Sequence, residues 1–308
     1  MAAVLFVAAA VAYVASGGEP AGNSDSGAFF PSCNLWMPAG VAQMLLNVAC
    51  VVAAGYLLKY LNRLHGFIRG GNAAIMLSAF LMLQLATPAL AGCFFEGTLM
   101  LVVVLLSAYM LFNTYHQRYS ARSVFLIFAL IGFYAMFQFM ALYLAVVLIV
   151  GTMQMRVLGL RGFIAMLLGL LTPYWICYGF GIISFADFDM PDVRAAWNVE
   201  EISWRLAATC ALSALATLLL LLSNMVHIIS YNAKRRACNG FFTVLTMATI
   251  IMMAIDSDNV MAYMPTFNVC LAVQVGHAFT ISKNDKRYIP VLVLCVLCVG
   301  MCIYNLCY

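Results

Sequence analysis

An all-α polytopic membrane bundle is the fold class this sequence predicts, and three observations predict it. Hydrophobic residues make up 66% of the 308 while charged ones make up 8%, and the mean hydropathy is +1.01. That is more apolar surface than a water-soluble core can hide. The apolar residues come in long continuous runs, not in the alternating pattern of a membrane barrel, and a backbone in hydrocarbon must satisfy its own polar groups, so the spans are helices. Finally, basic and acidic residues segregate along the chain. The net charge of +4 follows from where the basic residues sit, and nucleic acid is excluded as a partner class; the first partner is the lipid bilayer.

The stretch from Arg161 to Arg205 sets the orientation. A basic turn from Met155 to Arg161 leads into an apolar run, Gly162 to Phe185, interrupted by Thr172-Pro173-Tyr174-Trp175, and that run empties into the most acidic segment of the chain. In order, Ala2 to Ser16 is an apolar run shorter than the about 20 residues that span a ~30 Å core. It reads as a tilted first span, as one shortened by a miscalled start, or as a signal peptide lacking a basic start. Residues 17–40, rich in Gly, Ser and Pro, form an outer loop. Spans follow at Val41 to Tyr60, Ala73 to Leu90, Gly97 to Phe112, Leu206 to His227, Phe241 to Ile255, Val260 to Ile281 and Tyr288 to Tyr308. The whole chain, 1–308, is one transmembrane domain. Its second outer loop is 185–205, and its basic inner loops are 59–72, 113–123, 152–161, 229–240 and 282–287.

Lysine and arginine in short loops mark the cytoplasmic side. All fifteen except Arg194 and Arg205 fall on one side of this layout, and all eleven acids except Asp285 fall on the other. The layout demands that Val124 to Gly151, basic at both flanks, enter and return on the same side. Its residues divide into two arms of roughly 21 Å at 1.5 Å per residue, so two short spans or a re-entrant pair meeting near Gln138 is expected, with one long tilted helix as the alternative. That makes ten or eleven spans, N-terminus inside and C-terminus outside if 124–151 crosses twice.

Several short stretches together, Lys59-Tyr60-Leu61-Asn62 with Ile68-Arg69, Phe112-Asn113-Thr114-Tyr115, Gly169 to Trp175, and Gly276-His277-Ala278-Phe279, resemble an uncharacterised family of multi-spanning inner-membrane proteins from Bacteroidetes. The resemblance covers nearly the whole chain and implies a bacterial cytoplasmic (inner) membrane. It implies no activity. That family often turns the segment matching Phe137-Gln138 with prolines, which are missing here.

No Asp, Glu, Lys or Arg sits in the middle of a span, where ionisable residues mark ion or proton pathways. The polar residues that do, Gln43, Asn47, Gln84, Gln138, Asn224, Asn268 and Gln274, suit hydrogen bonds between helices. His65, His116, His227 and His277 fall at the inner interface. Cys295, Cys298 and Cys302 imitate a metal spacing without the His or carboxylate that would complete it, and Cys33 and Cys93 share the outer side, where geometry would decide a disulfide.

Chemistry concentrates at the outer lip. Asp187, Asp189 and Asp192 form a D-x-D-x-x-D spacing of hard oxygen donors suited to a divalent cation, which nothing in the sequence requires. With Glu200 and Glu201 they are the catalytic candidates, since a carboxylate at a membrane lip can act as a general base. Arg194 and Arg205 defy the positive-inside preference and suit an anionic group such as a diphosphate. Trp197, Trp204, Tyr174 and Trp175 complete the candidate binding set, against the plainer reading of Tyr174 and Trp175 as helix packing and an aromatic belt. Three classes stay open. The first is a non-catalytic envelope scaffold or assembly component, with other envelope proteins as partners. The second is a membrane enzyme acting on a lipid-linked saccharide or glycan at the outer face, and the third a facilitator or exporter.

Overall fold

A computed structural model describes residues 2–17, 29–30, 33, 40–68, 73–117, 120–184, 204–281 and 288–306. These form twelve α-helices and, among the described residues, no strand: α1 (Ala2–Ala15), α2 (Val41–His65), α3 (Ala73–Leu85), α4 (Ala89–Gly92), α5 (Glu96–Asn113), α6 (Ala121–Ala135), α7 (Tyr143–Gln154), α8 (Leu160–Gly179), α9 (Trp204–Ile228), α10 (Ala233–Ile255), α11 (Val260–Ile281) and α12 (Tyr288–Leu306). Five of them, α2, α5, α8, α9 and α10, are long and apolar enough to cross a membrane. The all-helical membrane bundle is therefore the fold.

Contacts between helix ends sort the helices by direction. At one end, Gly66 after α2 meets Arg235 at the start of α10, and Ile68 packs on Gly276 near the end of α11. Phe112 at the end of α5 packs against Phe67 and Phe241. The amide of His116 donates to the carbonyl of Met155 at 3.2 Å, joining the approach to α6 to the exit of α7. At the other end, Tyr13 of α1 lies on Gly92, Asn305 of α12 donates to the carbonyl of Ala86 at 2.9 Å, and the Phe29 amide donates to Met136. Setting aside the single turn of α4, the described helices run eleven times between the two ends. Lys59, Arg63, Arg122, Arg156, Arg161 and Lys234 to Arg236 gather at the first end; the three described carboxylates, Glu96, Asp256 and Asp258, lie at the second.

The pair α6 and α7 is the returning segment that the basic flanks require. Their 15 and 12 residues reach about 22 and 18 Å, each short of a ~30 Å hydrocarbon core. The bend between them, through Met136, Phe137, Gln138 and a 3-10 turn over Phe139–Leu142, would be costly in lipid. It is covered: Met136, Phe137 and Gln138 are all buried.

Around α11 the other helices assemble. Every residue from Ala262 to His277 is buried, with α3, α5, α9, α10 and α12 packed around it. A helix enclosed by protein is released from the need to be greasy all round. Accordingly α11 holds Pro265, Asn268, Gln274 and His277, and it is absent from the five helices apolar enough to span by composition. On the outside, α8 packs on α6 with backbones touching. A Cβ added to Gly132 would sit 2.4 Å from the Leu170 carbonyl oxygen, and one added to Gly169 would sit 2.4 Å from that of Phe125. The helix α8 runs unbroken through Pro173, where the Thr172 hydroxyl bonds back to the Leu168 carbonyl. Phe6 and Ala10 of α1 are fully buried in a helix packed on α3 and α4, so the first apolar run is part of the bundle.

Three expectations are corrected. Ala73 to Leu90 is not one helix: α3 stops at Leu85, because a proline disfavours helix in the residue before it and supplies no N–H, and Thr87-Pro88 breaks the run before α4. The fourth basic inner loop, 229–240, is largely helix, since α10 starts at Ala233 and carries Lys234, Arg235 and Arg236 in its first turn. And His277, at the basic end of α11, does not reach the interface as an exposed imidazole: it is fully buried, with Nε2 2.8 Å from Asn239 Oδ1.

Candidate functional site

Two interrupted elements, the α3–α4–α5 connection and the α6–α7 bend, meet at the end of the bundle away from the basic residues. Broken helices expose backbone groups that something must satisfy at membrane depth, and here α2, α6 and α12 supply the side chains. Asn47 donates to the Leu90 carbonyl at 2.8 Å and accepts the Thr98 hydroxyl at 2.6 Å. Gln43 donates to Phe94 at 3.3 Å. The Tyr134 hydroxyl lies 3.0 Å from the Glu96 carbonyl and 2.9 Å from Gln138 Oε1. Phe94, Phe137 and Cys33 pack together above these bonds.

Glu96 sits in the centre of this meeting point. It is 3% exposed, and its Oε1 accepts the backbone N–H of Cys33 at 2.8 Å, which fixes Cys33 against it. Burial first, and then the Glu96 charge, push the Cys33 thiol up to about 12. A thiol so placed stays protonated and is no nucleophile. Cys33 is a free thiol, so the Cys33–Cys93 disulfide is not formed. In the folded protein at pH 8, Cys33 should resist iodoacetamide and become reactive only on denaturation; mass-spectrometric mapping of alkylation checks this, and rapid modification of native Cys33 would contradict the placement.

A second carboxylate, Asp256, is fully buried between α10 and α11. It accepts a hydrogen bond from Asn259 Nδ2 at 2.9 Å and another from the Tyr263 hydroxyl, which ties the turn onto the first turns of α11. By sequence, Glu96 and Asp256 fall between spans on the acidic side of the layout. Both are nonetheless buried: the Cys33 amide bonds the Glu96 carboxylate, and Asn259 and Tyr263 bond that of Asp256, in place of the water that would have solvated them. Only a polar residue within one or two turns, Asn259 or Tyr263, hinted at this for Asp256; for Glu96 the partners are distant in sequence.

Further along α11 the pattern repeats. Gln84 of α3 lies 3.4 Å from Asn268 and 3.4 Å from the Pro265 carbonyl. Asn224 of α9 donates to the backbone and side-chain oxygens of Gln274, each at 2.9 Å. Asn239 donates to Phe67 at 3.0 Å, and Asn62 accepts the Ile68 amide at 2.9 Å, holding the chain after α2. Gln138 Nε2 and Thr87 Oγ1 are buried without a partner among the described residues.

Of the outer-lip candidates, Asp187, Asp189, Asp192, Arg194, Trp197, Glu200 and Glu201 lie outside the described residues, as does the side chain of Arg205. The aromatic members are placed apart. Trp204, exposed at the start of α9, meets Tyr304 of α12 edge-on at 6.0 Å, whereas Tyr174 meets Phe29 at 5.9 Å and Trp175 is 78% exposed. Tyr174 thus contacts a residue outside α8, and Trp175 faces outward. On α12, Cys298 and Cys302 are buried and Cys295 is half-buried; no group of three His, Cys, Asp or Glu among the described residues is arranged to hold a metal ion.

Compared with known protein families, curated proteins and solved structures, the chain matches none. What the fold defines is a helical membrane bundle in which several interior amides and hydroxyls bond one another and the backbone at helix breaks and ends.

Proposed function

We propose that this is a multi-pass protein of the bacterial cytoplasmic (inner) membrane, basic end to the cytoplasm, serving as a non-catalytic scaffold or assembly component for other envelope proteins. One observation carries the reading. Asn47, Asn62, Asn239, Tyr134 and Asn305, which in an enzyme or a carrier would converge on an open site, instead bond backbone groups at the chain's own helix breaks and ends. Meanwhile α8 and α9 present wide apolar faces, including Leu171, Trp175, Leu219 and Leu222, at the rim, where lipid or a partner helix packs.

The experiment neutralises Asp187, Asp189, Asp192, Arg194 and Arg205 together in the native host. A scaffold keeps a wild-type envelope phenotype and keeps its co-purifying proteins in mild detergent. Loss of the phenotype from a folded, correctly inserted variant would overturn the scaffold reading in favour of an enzyme handling a lipid-linked glycan at the outer lip. Recovery of such a glycan with the wild-type protein alone would strengthen that result.

A further inference from the structure

Lys59 and Arg63 share one face of α2 with Tyr56 and Tyr60. The spacing of three, four and seven residues puts all four side chains in a single stripe over the last turns of the helix. Topology alone accounts for positive charge at this end, but not for its convergence. Lys59 and Arg63 line a recess of about 610 Å³ together with Asn62 and, from a distant part of the sequence, Arg235 in the first turn of α10. The size falls within the range of small-molecule and headgroup sites.

The local backbone shapes this recess. Gly66 ends α2 in the left-handed conformation at φ 56, and a Cβ there would lie 3.4 Å from the Arg235 guanidinium, so the turn lets the arginine come close. Arg235 also sits where the α10 amides point outward, adding their partial positive charge. Lys59 Nζ lies 6.0 Å from the centre of the Tyr56 ring. Two cations and a third from the first turn of the facing helix thus line one space. No acid offsets them among the described residues, whose three carboxylates all lie at the opposite end.

Depth selects the ligand. Lys59 is six residues before the last residue of α2, about 9 Å along the axis, which is the headgroup level of a helix whose end reaches water. Tyr56 and Tyr60 are more than 45% exposed on the same stripe, and such amphipathic rings favour that level too. We infer that this recess binds the phosphate of an anionic membrane lipid, with Arg63 and Arg235 on the phosphate oxygens, Lys59 as a nearby point charge, and the two tyrosines against the glycerol and upper acyl chains. The inference stands whether or not the bundle is a scaffold.

Native mass spectrometry of the full chain, released from mixed micelles of phosphatidylglycerol and phosphatidylcholine, tests it. Wild-type protein should retain phosphatidylglycerol in preference. The triple variant Lys59→Gln, Arg63→Gln, Arg235→Gln should bind it about 100-fold more weakly, from the loss of its charge-assisted contacts to the phosphate, with phosphatidylcholine unaffected. A control that removes the same charge elsewhere at this end, Arg122→Gln, Arg156→Gln, Arg161→Gln, should bind like wild type. Equal weakening in both triples would overturn the site in favour of a general field. If the first triple fails to fold, Arg63→Glu alone, on an exposed side chain, must produce the loss. Competition by millimolar inorganic phosphate supports phosphate as the group recognised; phosphate binding without any lipid preference would overturn the lipid assignment.

Discussion

Leucine at Gly169 will strip α8 from the bundle. At this position a Cβ alone would lie 2.4 Å from the Phe125 carbonyl oxygen, and the reciprocal Cβ at Gly132 would lie 2.4 Å from that of Leu170. The obstacle on each side is backbone, which cannot rotate away as a side chain can. The helices must part, and because association inside a bilayer rests on close van der Waals packing with little hydrophobic drive, a gap of even 1 Å forfeits a large share of the attraction. Alanine at either position should cost about 1–3 kcal/mol, the usual range for overpacking, and Gly169→Leu considerably more. Thermal unfolding in detergent measures it. Gly300→Ala, in α12 with open space around it, is the control and should be neutral or slightly stabilising, since glycine weakens a helix interior. Equal stability of Gly169→Leu and wild type would show that α6 and α8 do not touch in this way.

Asn47→Leu is the second large effect. The two residues are close in volume, so packing is nearly preserved, but the Leu90 carbonyl and the Thr98 hydroxyl both lose their partner while remaining buried. Leaving a buried polar group unsatisfied costs about 1–3 kcal/mol, which places this variant about 3 kcal/mol below wild type. The mechanism has its own signature. Thr98→Val, added to Asn47→Leu, should recover part of the loss, because one of the two orphaned groups is then gone. If Asn47→Leu matched the wild type, or if the second substitution made matters worse, Asn47 would not be holding the α3–α5 break.

Which parts were legible in the sequence follows from what each depended on. Composition and run length dictated helices in a membrane, and charge at both flanks of 124–151 dictated a returning pair; both depend on the lipid environment, which acts on local sequence. The break after Leu85 was available in Thr87-Pro88, yet the apolarity of the run from Ala73 to Leu90 masks it. The burial of Glu96 had no local signal, because its partner Cys33 lies before α2 and Tyr134 on α6. The intramembrane amides Gln84, Asn224, Asn268 and Gln274 were visible as polar outliers and do bond between helices as their placement suggests. That Asn47 and Asn239 hold backbone carbonyls, and that α11 forms the centre, emerges only once the helices are packed.

The account depends most on a bundle whose helices bring the basic residues to a single side, with α6 and α7 entering and leaving together. Cysteine accessibility tests this directly. In a background without the eleven native cysteines, Gln117→Cys and Gly159→Cys place one exposed thiol before α6 and one after α7, and each is probed in intact cells and in inside-out vesicles with a membrane-impermeant maleimide. Both should label only from the cytoplasmic side. Labelling of the two sites from opposite faces would contradict the returning pair, and with it the sidedness on which the scaffold and lipid-site readings stand.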